Sequence, residues 1–67
     1  LEYPNIEAER VRRQMSKEEF ASALGVNVRT VRNWQNGLTE IPLCKIRIMR
    51  DLFGVSADYL ISQEVKT

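Results

Sequence analysis

The chain contains no histidine and one cysteine, Cys44, among its 67 residues. These shortages exclude a zinc cluster and an internal disulfide, each of which needs more ligands or thiols than are present. The absence of disulfides fits a reducing compartment, so a cytoplasmic location is expected. No apolar run approaches the roughly 20 residues of a membrane span, and the opening LEYPNIEAER lacks the apolar core of a secretory signal. Position 1 is leucine and not methionine, so residues 1–4 read as an arm or the remnant of a cut or processed end. Internal repeats, low-complexity segments and strand-type alternation are also missing. Sixty-seven residues make one domain, near the size at which a single core is only just sufficient, with no room for an enzyme cleft. No catalytic group, cofactor, metal or small-molecule ligand is expected.

The net charge is only +1, little for a nucleic-acid binder, whose usual footprint is strongly basic. The distribution is more informative. Between Arg10 and Trp34 there are six cations (Arg10, Arg12, Arg13, Lys17, Arg29, Arg32) and two anions (Glu18, Glu19). A local basic surface of this kind is enough to hold phosphates, with modest and salt-sensitive affinity.

The segment SKEEFASALGVNVRTVRNWQNG, residues 16–37, carries the strongest structural signal. Ser16 and Glu19 have the spacing of a capping box, and Met15 with Phe20 that of a hydrophobic staple. Phe20, Ala21 and Leu24 then fall on one helical face. Gly25 suits the left-handed residue that ends a helix. Asn27 can cap a new helix at once, with Val26 and Val31 repeating the staple. Two helices separated by so few residues cannot run antiparallel, which predicts a helix-turn-helix.

Around this motif the pattern predicts three more helices. Asn5 can cap a first helix reaching about Met15, with Ile6, Val11 and Met15 inward. Asn36-Gly37 and Pro42 bracket a loop. A fourth helix runs from about Leu43 to Phe53, closed by Gly54, with Ile46, Met49 and Phe53 inward. Cys44, Ile48 and Leu52 form a second stripe on it, more apolar surface than one small core requires. Ser56 caps a short last helix from Ala57 to about Ser62, stapled by Val55 and Leu60, with Tyr59 and Leu60 closing the core. Residues 5–62 thus form the domain, and 63–67 read as a polar tail or the start of a linker. The fold class is all-α, a compact five-helix bundle.

Five short helices in this order, with the SKEEFA opening, the Leu24-Gly25-Val26 turn, Val31, the Trp34-Gln35-Asn36-Gly37 exit and the closing IPLCKIRIMRDLFGVSADYLI, resemble the phage repressor and Cro-like helix-turn-helix family, also called the XRE family. The resemblance covers nearly the whole chain. It implies a lambda-repressor-like domain that acts as a sequence-specific regulator of transcription, most often a repressor, in a phage or prokaryotic cell.

In such a bundle the second helix of the motif, residues 28–36, is the one that can enter a major groove. If the core claims Val31 and Trp34, the outward residues are Val28, Arg29, Arg32 and Asn33, and the resemblance puts base reading on these positions. Arginine can donate a fork of hydrogen bonds to guanine, asparagine can pair with adenine, and a valine methyl can pack on thymine. A phosphate contact or a solvated helix face is the alternative for the arginines, and Arg32 divides evenly between base and phosphate.

By family position Lys17, Asn36 and Thr39 are phosphate contacts, to which Asn27, Thr30 and Arg10 are added. Family members often pair an arginine at the place of Arg10 with a glutamate before the loop. Here that partner is Gln35, so the expectation is a weaker bond and an Arg10 freer for phosphate. Arg50, at a position often occupied by a small residue, must snorkel outward or join an interface. Glu40 and Ile41 stand where basic residues are common. Trp34 reads as a core anchor.

The implied partners are double-stranded DNA with a near-palindromic operator and a second copy of the chain, through Cys44, Ile48, Leu52 and Ala57. The competing reading of that stripe is completion of the monomer core. Two other functions remain open: a protein-interaction module such as an antitoxin, whose reading face would be neutralised or apolar, and the DNA-binding segment of a larger protein.

Overall fold

Three helices of this protein begin with the same device. An apolar residue precedes a capping Ser or Asn, and a second apolar residue follows five positions after the first: Met15-Ser16-Phe20, Val26-Asn27-Val31 and Val55-Ser56-Leu60. The computed structural model describes residues 2–63 and there forms α1 (Pro4–Arg12), α2 (Lys17–Leu24), α3 (Val28–Gln35), α4 (Leu43–Phe53) and α5 (Ala57–Ile61). Leu1 and residues 64–67, most of the expected polar tail, lie outside the described residues.

Each cap is made. The Ser16 hydroxyl accepts from Glu19 N–H at 3.0 Å while the Glu19 carboxylate accepts from Ser16 N–H at 2.8 Å. Asn27 Oδ1 accepts from Thr30 N–H at 2.9 Å, and the Ser56 hydroxyl from Tyr59 N–H at 3.1 Å. Phe20, Val31 and Leu60 are buried, and Met15, Val26 and Val55 rest against the core from outside. Each start therefore satisfies an otherwise orphaned amide and pins the incoming chain to the core. Gly25 (φ 72°) and Gly54 (φ 67°) end α2 and α4 in the left-handed region, which costs any Cβ-bearing residue more. The Lys45 ammonium donates to the Leu24 carbonyl at 2.8 Å, placing a cation of α4 on the negative end of α2. α2 packs on α3 and α4, α4 on α5, and α5 on α1. The enclosed core includes Ile6, Phe20, Leu24, Val31, Trp34, Ile46, Met49, Phe53 and Leu60.

α1 departs from expectation in three ways. Asn5 is not its cap: the helix begins at Pro4 with Tyr3 in the cap position and no side-chain cap. Proline tolerates the first turn because its missing N–H would be unpaired there anyway. Asn5 is instead fully buried, and its amide donates to the Tyr59 carbonyl at 2.9 Å. The inward face is Asn5, Ile6 and Glu9; Val11 is 56% exposed. The helix also stops at Arg12, short of Met15, because Gln14 turns the chain with φ 58°.

Glu9, 1% exposed, is the hub that joins α1 to α5 and α4. One carboxylate oxygen takes the Arg13 guanidinium at 2.6 Å, and the other takes Arg12 at 3.0 Å and the Tyr59 hydroxyl at 2.8 Å. Arg13 also donates to the Phe53 carbonyl and lies over the Phe53 ring, 4.8 Å from its centroid, while Phe20 stacks on that ring at 5.7 Å. Burial alone would raise the Glu9 pKa, but the hydrogen bonds from Arg13 and Tyr59 and the charges of Arg12 and Arg13 outweigh it and hold the pKa below the ordinary glutamate value. A lowered folded-state pKa means that this stabilisation is complete above the ordinary glutamate range and is lost as pH falls through the folded value. Glu9→Ala should cost about 2 kcal/mol in urea unfolding at neutral pH, since it removes the charge-assisted hydrogen bonds from Arg13 and Tyr59. Glu9→Gln should flatten the fall of stability on acidification relative to the parent chain.

Candidate nucleic-acid interface

α3 is an eight-residue helix with a sharp division of character. Val31 and Trp34, 4% and 3% exposed, anchor its inner side. Arg29 and Arg32 project outward and are exposed; Asn33 is half-buried. Val28 is half-buried and rests against the core, so only part of its side chain faces out with the arginines. The four expected base-reading residues therefore share one side of α3, with the arginines outermost.

The charges around this helix sort into two groups. Arg10, Arg12 and Arg13 are all paired, the first with Glu7 and the other two with Glu9. Lys17, Arg29 and Arg32 have no ion pair among the described residues. Two carboxylates face Arg10, Arg12 and Arg13, so a positive charge is left over at the end of α1, where the Arg12 side chain is 66% exposed; the cations without an ion pair lie at the start of α2 and on the outer face of α3. Lys17 stands at the start of α2, where free amides of the first turn favour an anion, in the same turn as Glu18 and Glu19.

Lys17, Arg32 and Asn36 line a common cleft of about 220 Å³ between α1, α2 and α3, together with Glu7, Val31 and Gln35. Asn27 and Thr30 sit at the opposite, N-terminal end of α3, where the Thr30 hydroxyl and amide both donate to Asn27 Oδ1. That leaves the Asn27 amino group as its remaining donor. Thr39 lies exposed in the loop after α3 and does not join the Lys17 cleft.

Arg10 behaves differently from expectation, and so does Gln35. The Arg10 guanidinium is bound by Glu7 at 2.6 Å and donates to the Met15 carbonyl, leaving its side chain 14% exposed. It is not freed for phosphate and does not touch Gln35, because an acid one turn away on its own helix outcompetes a neutral amide for the charge. Gln35 instead holds the N-terminal arm. Its carboxamide accepts from Tyr3 N–H at 3.0 Å and donates to the Tyr3 carbonyl at 3.2 Å, while Glu2 N–H donates to the Gln35 carbonyl at 2.9 Å.

Glu7 is the residue that the sequence reading missed at this site. Its hydrogen bond to Arg10 is the largest influence on its pKa and lowers it; burial opposes this, and the charges of Arg10 and Lys17 add to the lowering. It therefore remains an anion on the wall of an otherwise cationic cleft. The i, i+3 spacing from Arg10 was the available signal.

On α4, Cys44 is exposed, and Ile48 and Leu52 are 37% and 39% exposed. They do not complete the monomer core. Ala57 does rest against the core and is half-buried. Arg50 turns outward beside Asp51 at 3.5 Å, both side chains largely exposed, a pair of little energetic consequence.

Among the described residues no group of acids and cysteine is placed to hold a metal ion, and no helix is long and apolar enough to cross a membrane. A helix-turn-helix family model, HTH_3, matches residues 6–60. Searches of curated proteins and of solved structures gave no match.

Because Arg10 is held inside the fold, Arg10→Ala should lower stability by about 2 kcal/mol, read by urea unfolding, through loss of charged hydrogen bonds to Glu7 and Met15.

Proposed function

The chain belongs to the helix-turn-helix family, whose members are DNA-binding, non-catalytic modules, and from that premise we propose that it is a sequence-specific transcriptional regulator of the phage repressor and Cro-like type. The observation that carries this reading is the contrast in arginine pairing. The three arginines at the end of α1 are ion-paired with two acids, while Arg29 and Arg32, on the outer face of α3, have no ion pair among the described residues.

Arg29 reads guanine with its two-pronged donor edge, Asn33 pairs with an adenine, and the outer part of Val28 meets a thymine methyl. Arg32 works beside them and reaches either a base or the adjoining phosphate. Lys17 and Asn36 hold a phosphate over the α2 start, with Asn27, Thr30 and Thr39 as further backbone contacts. Arg10 acts through the fold and not by touching DNA. Few free cations and an acid in the phosphate cleft imply weak non-specific binding, so discrimination rests on the α3 face.

The active form on DNA is a twofold dimer. Cys44, Ile48 and Leu52, with Ala57 at the edge, supply an apolar strip that a copy of itself can cover. Such a pair sets two reading helices about 34 Å apart along the duplex. Repression then follows from occupancy of a near-palindromic operator.

Selection from a random duplex library at near-physiological salt should enrich a two-part near-palindrome with guanine at a fixed place in each half. On that duplex Arg29→Ala should cost about 1–3 kcal/mol, with little loss on random DNA. An equal loss on both would reduce Arg29 to a phosphate contact, and no enrichment would remove the sequence-specific reading. The double change Ile48→Glu and Leu52→Glu should weaken binding to the two-part site while sparing binding to a single half.

A further inference from the structure

A second cleft, of about 590 Å³, opens on the other side of the loop that follows α3. Its walls are the N-terminal arm, residues 37–41, Ile46 of α4, Ile61 of α5 and Gln63. We propose that this cleft docks an extended peptide segment of a partner protein, one that carries lysine or arginine beside large apolar side chains.

The cleft is built and not incidental. The arm that forms one wall is fixed by the paired hydrogen bonds between Tyr3 and Gln35 and by the Glu2 N–H to Gln35 carbonyl bond. Gln63 donates to the Glu2 carboxylate at 2.7 Å, joining the arm to the segment after α5.

Three observations define the occupant. Leu38 and Ile61 are 72% and 49% exposed on the lining, so apolar surface is offered that folding did not use. The charged side chains of the described lining are Glu2 and Glu40, with no lysine or arginine among them. A cation is therefore attracted. Finally, no N–H or carbonyl of residues 39–41 is hydrogen-bonded among the described residues. These loop groups are open to hydrogen bonds from the main chain of a peptide lying along them, which would give affinity, while the apolar side chains beside them give selectivity. The volume lies in the range that takes a few side chains. The proposal does not rest on base reading by α3, whose charge is opposite, although Thr39 on the lining is also the loop residue assigned a DNA backbone contact.

A random linear peptide library displayed on phage, selected on the immobilised chain, tests the proposal. The winning peptides should carry Lys or Arg next to Leu, Ile or an aromatic residue. Their synthetic forms should shift the amide resonances of residues 37–41 and Ile61 in a ¹⁵N-labelled chain. Glu40→Lys should weaken them about tenfold or more, because a like charge replaces the complementary one. Leu38→Ser should weaken them too. Both positions are exposed, so the melting midpoint should not move. The proposal is overturned by a selection without enrichment, by winners that lack cations, by shifts on α3 or α4 in place of the cleft, or by undiminished binding to Glu40→Lys of unchanged melting midpoint.

Discussion

The burial of Val31 and Trp34 sets the rotation of α3, and every property of the outer face depends on it. Successive residues on a helix are about 100° apart. Rotating α3 by one residue would withdraw Trp34 from the core and carry Arg32 or Gln35 toward it. The first change exposes a large aromatic surface, and the second buries a charge without a partner or breaks the clamp on Tyr3. Both penalties have the same sign and each amounts to several kcal/mol. The Asn27 cap and the Val26 staple fix the same rotation from the N-terminal end. A helix this short has little stability of its own, so its orientation is a property of the core it is fastened to.

The division of charge follows from a second constraint, the need to keep buried carboxylates paired. Glu9 lies among α1, α4 and α5 and takes two arginines and a tyrosine to remain ionised. Glu7 takes Arg10. These two acids engage three arginines, of which Arg12 stays largely exposed, and leave Arg29, Arg32 and Lys17 as the cations of the 10–34 stretch without an ion pair among the described residues. A nearly neutral chain thereby presents a basic face without becoming basic overall. For a regulator of the proposed kind, weak general attraction joined to specific hydrogen bonding is a suitable combination.

Much of the architecture was legible because three helix starts carry local chemistry that acts within six residues. Ser16, Asn27 and Ser56 each announce a helix by a side chain that can reach an amide three residues on, and Gly25 and Gly54 mark two ends. α1 was misread because its signals are not local. Asn5 has the chemistry of a cap, yet its amide is used 54 residues away on the Tyr59 carbonyl. Glu9 looks like a surface acid and is a core residue, which displaces Val11 to solvent. The helix end was missed because the left-handed position is held by Gln14 and not by glycine. At the site, the division of α3 followed from periodicity, whereas the fate of Arg10 depended on a choice between Glu7 and Gln35. The role of Gln35 as a clamp on the arm depends on Tyr3, 32 residues away, and has no local signal.

The proposed account of DNA binding stands or falls on which face meets the duplex. Titrating a ¹⁵N-labelled chain with a random-sequence duplex at low salt would locate it directly. The account predicts that the amide shifts concentrate on Val28 to Asn36 and on the first turn of α2 around Lys17, and fade as salt is raised. Shifts centred on α4 and α5, with α3 unmoved, would contradict it.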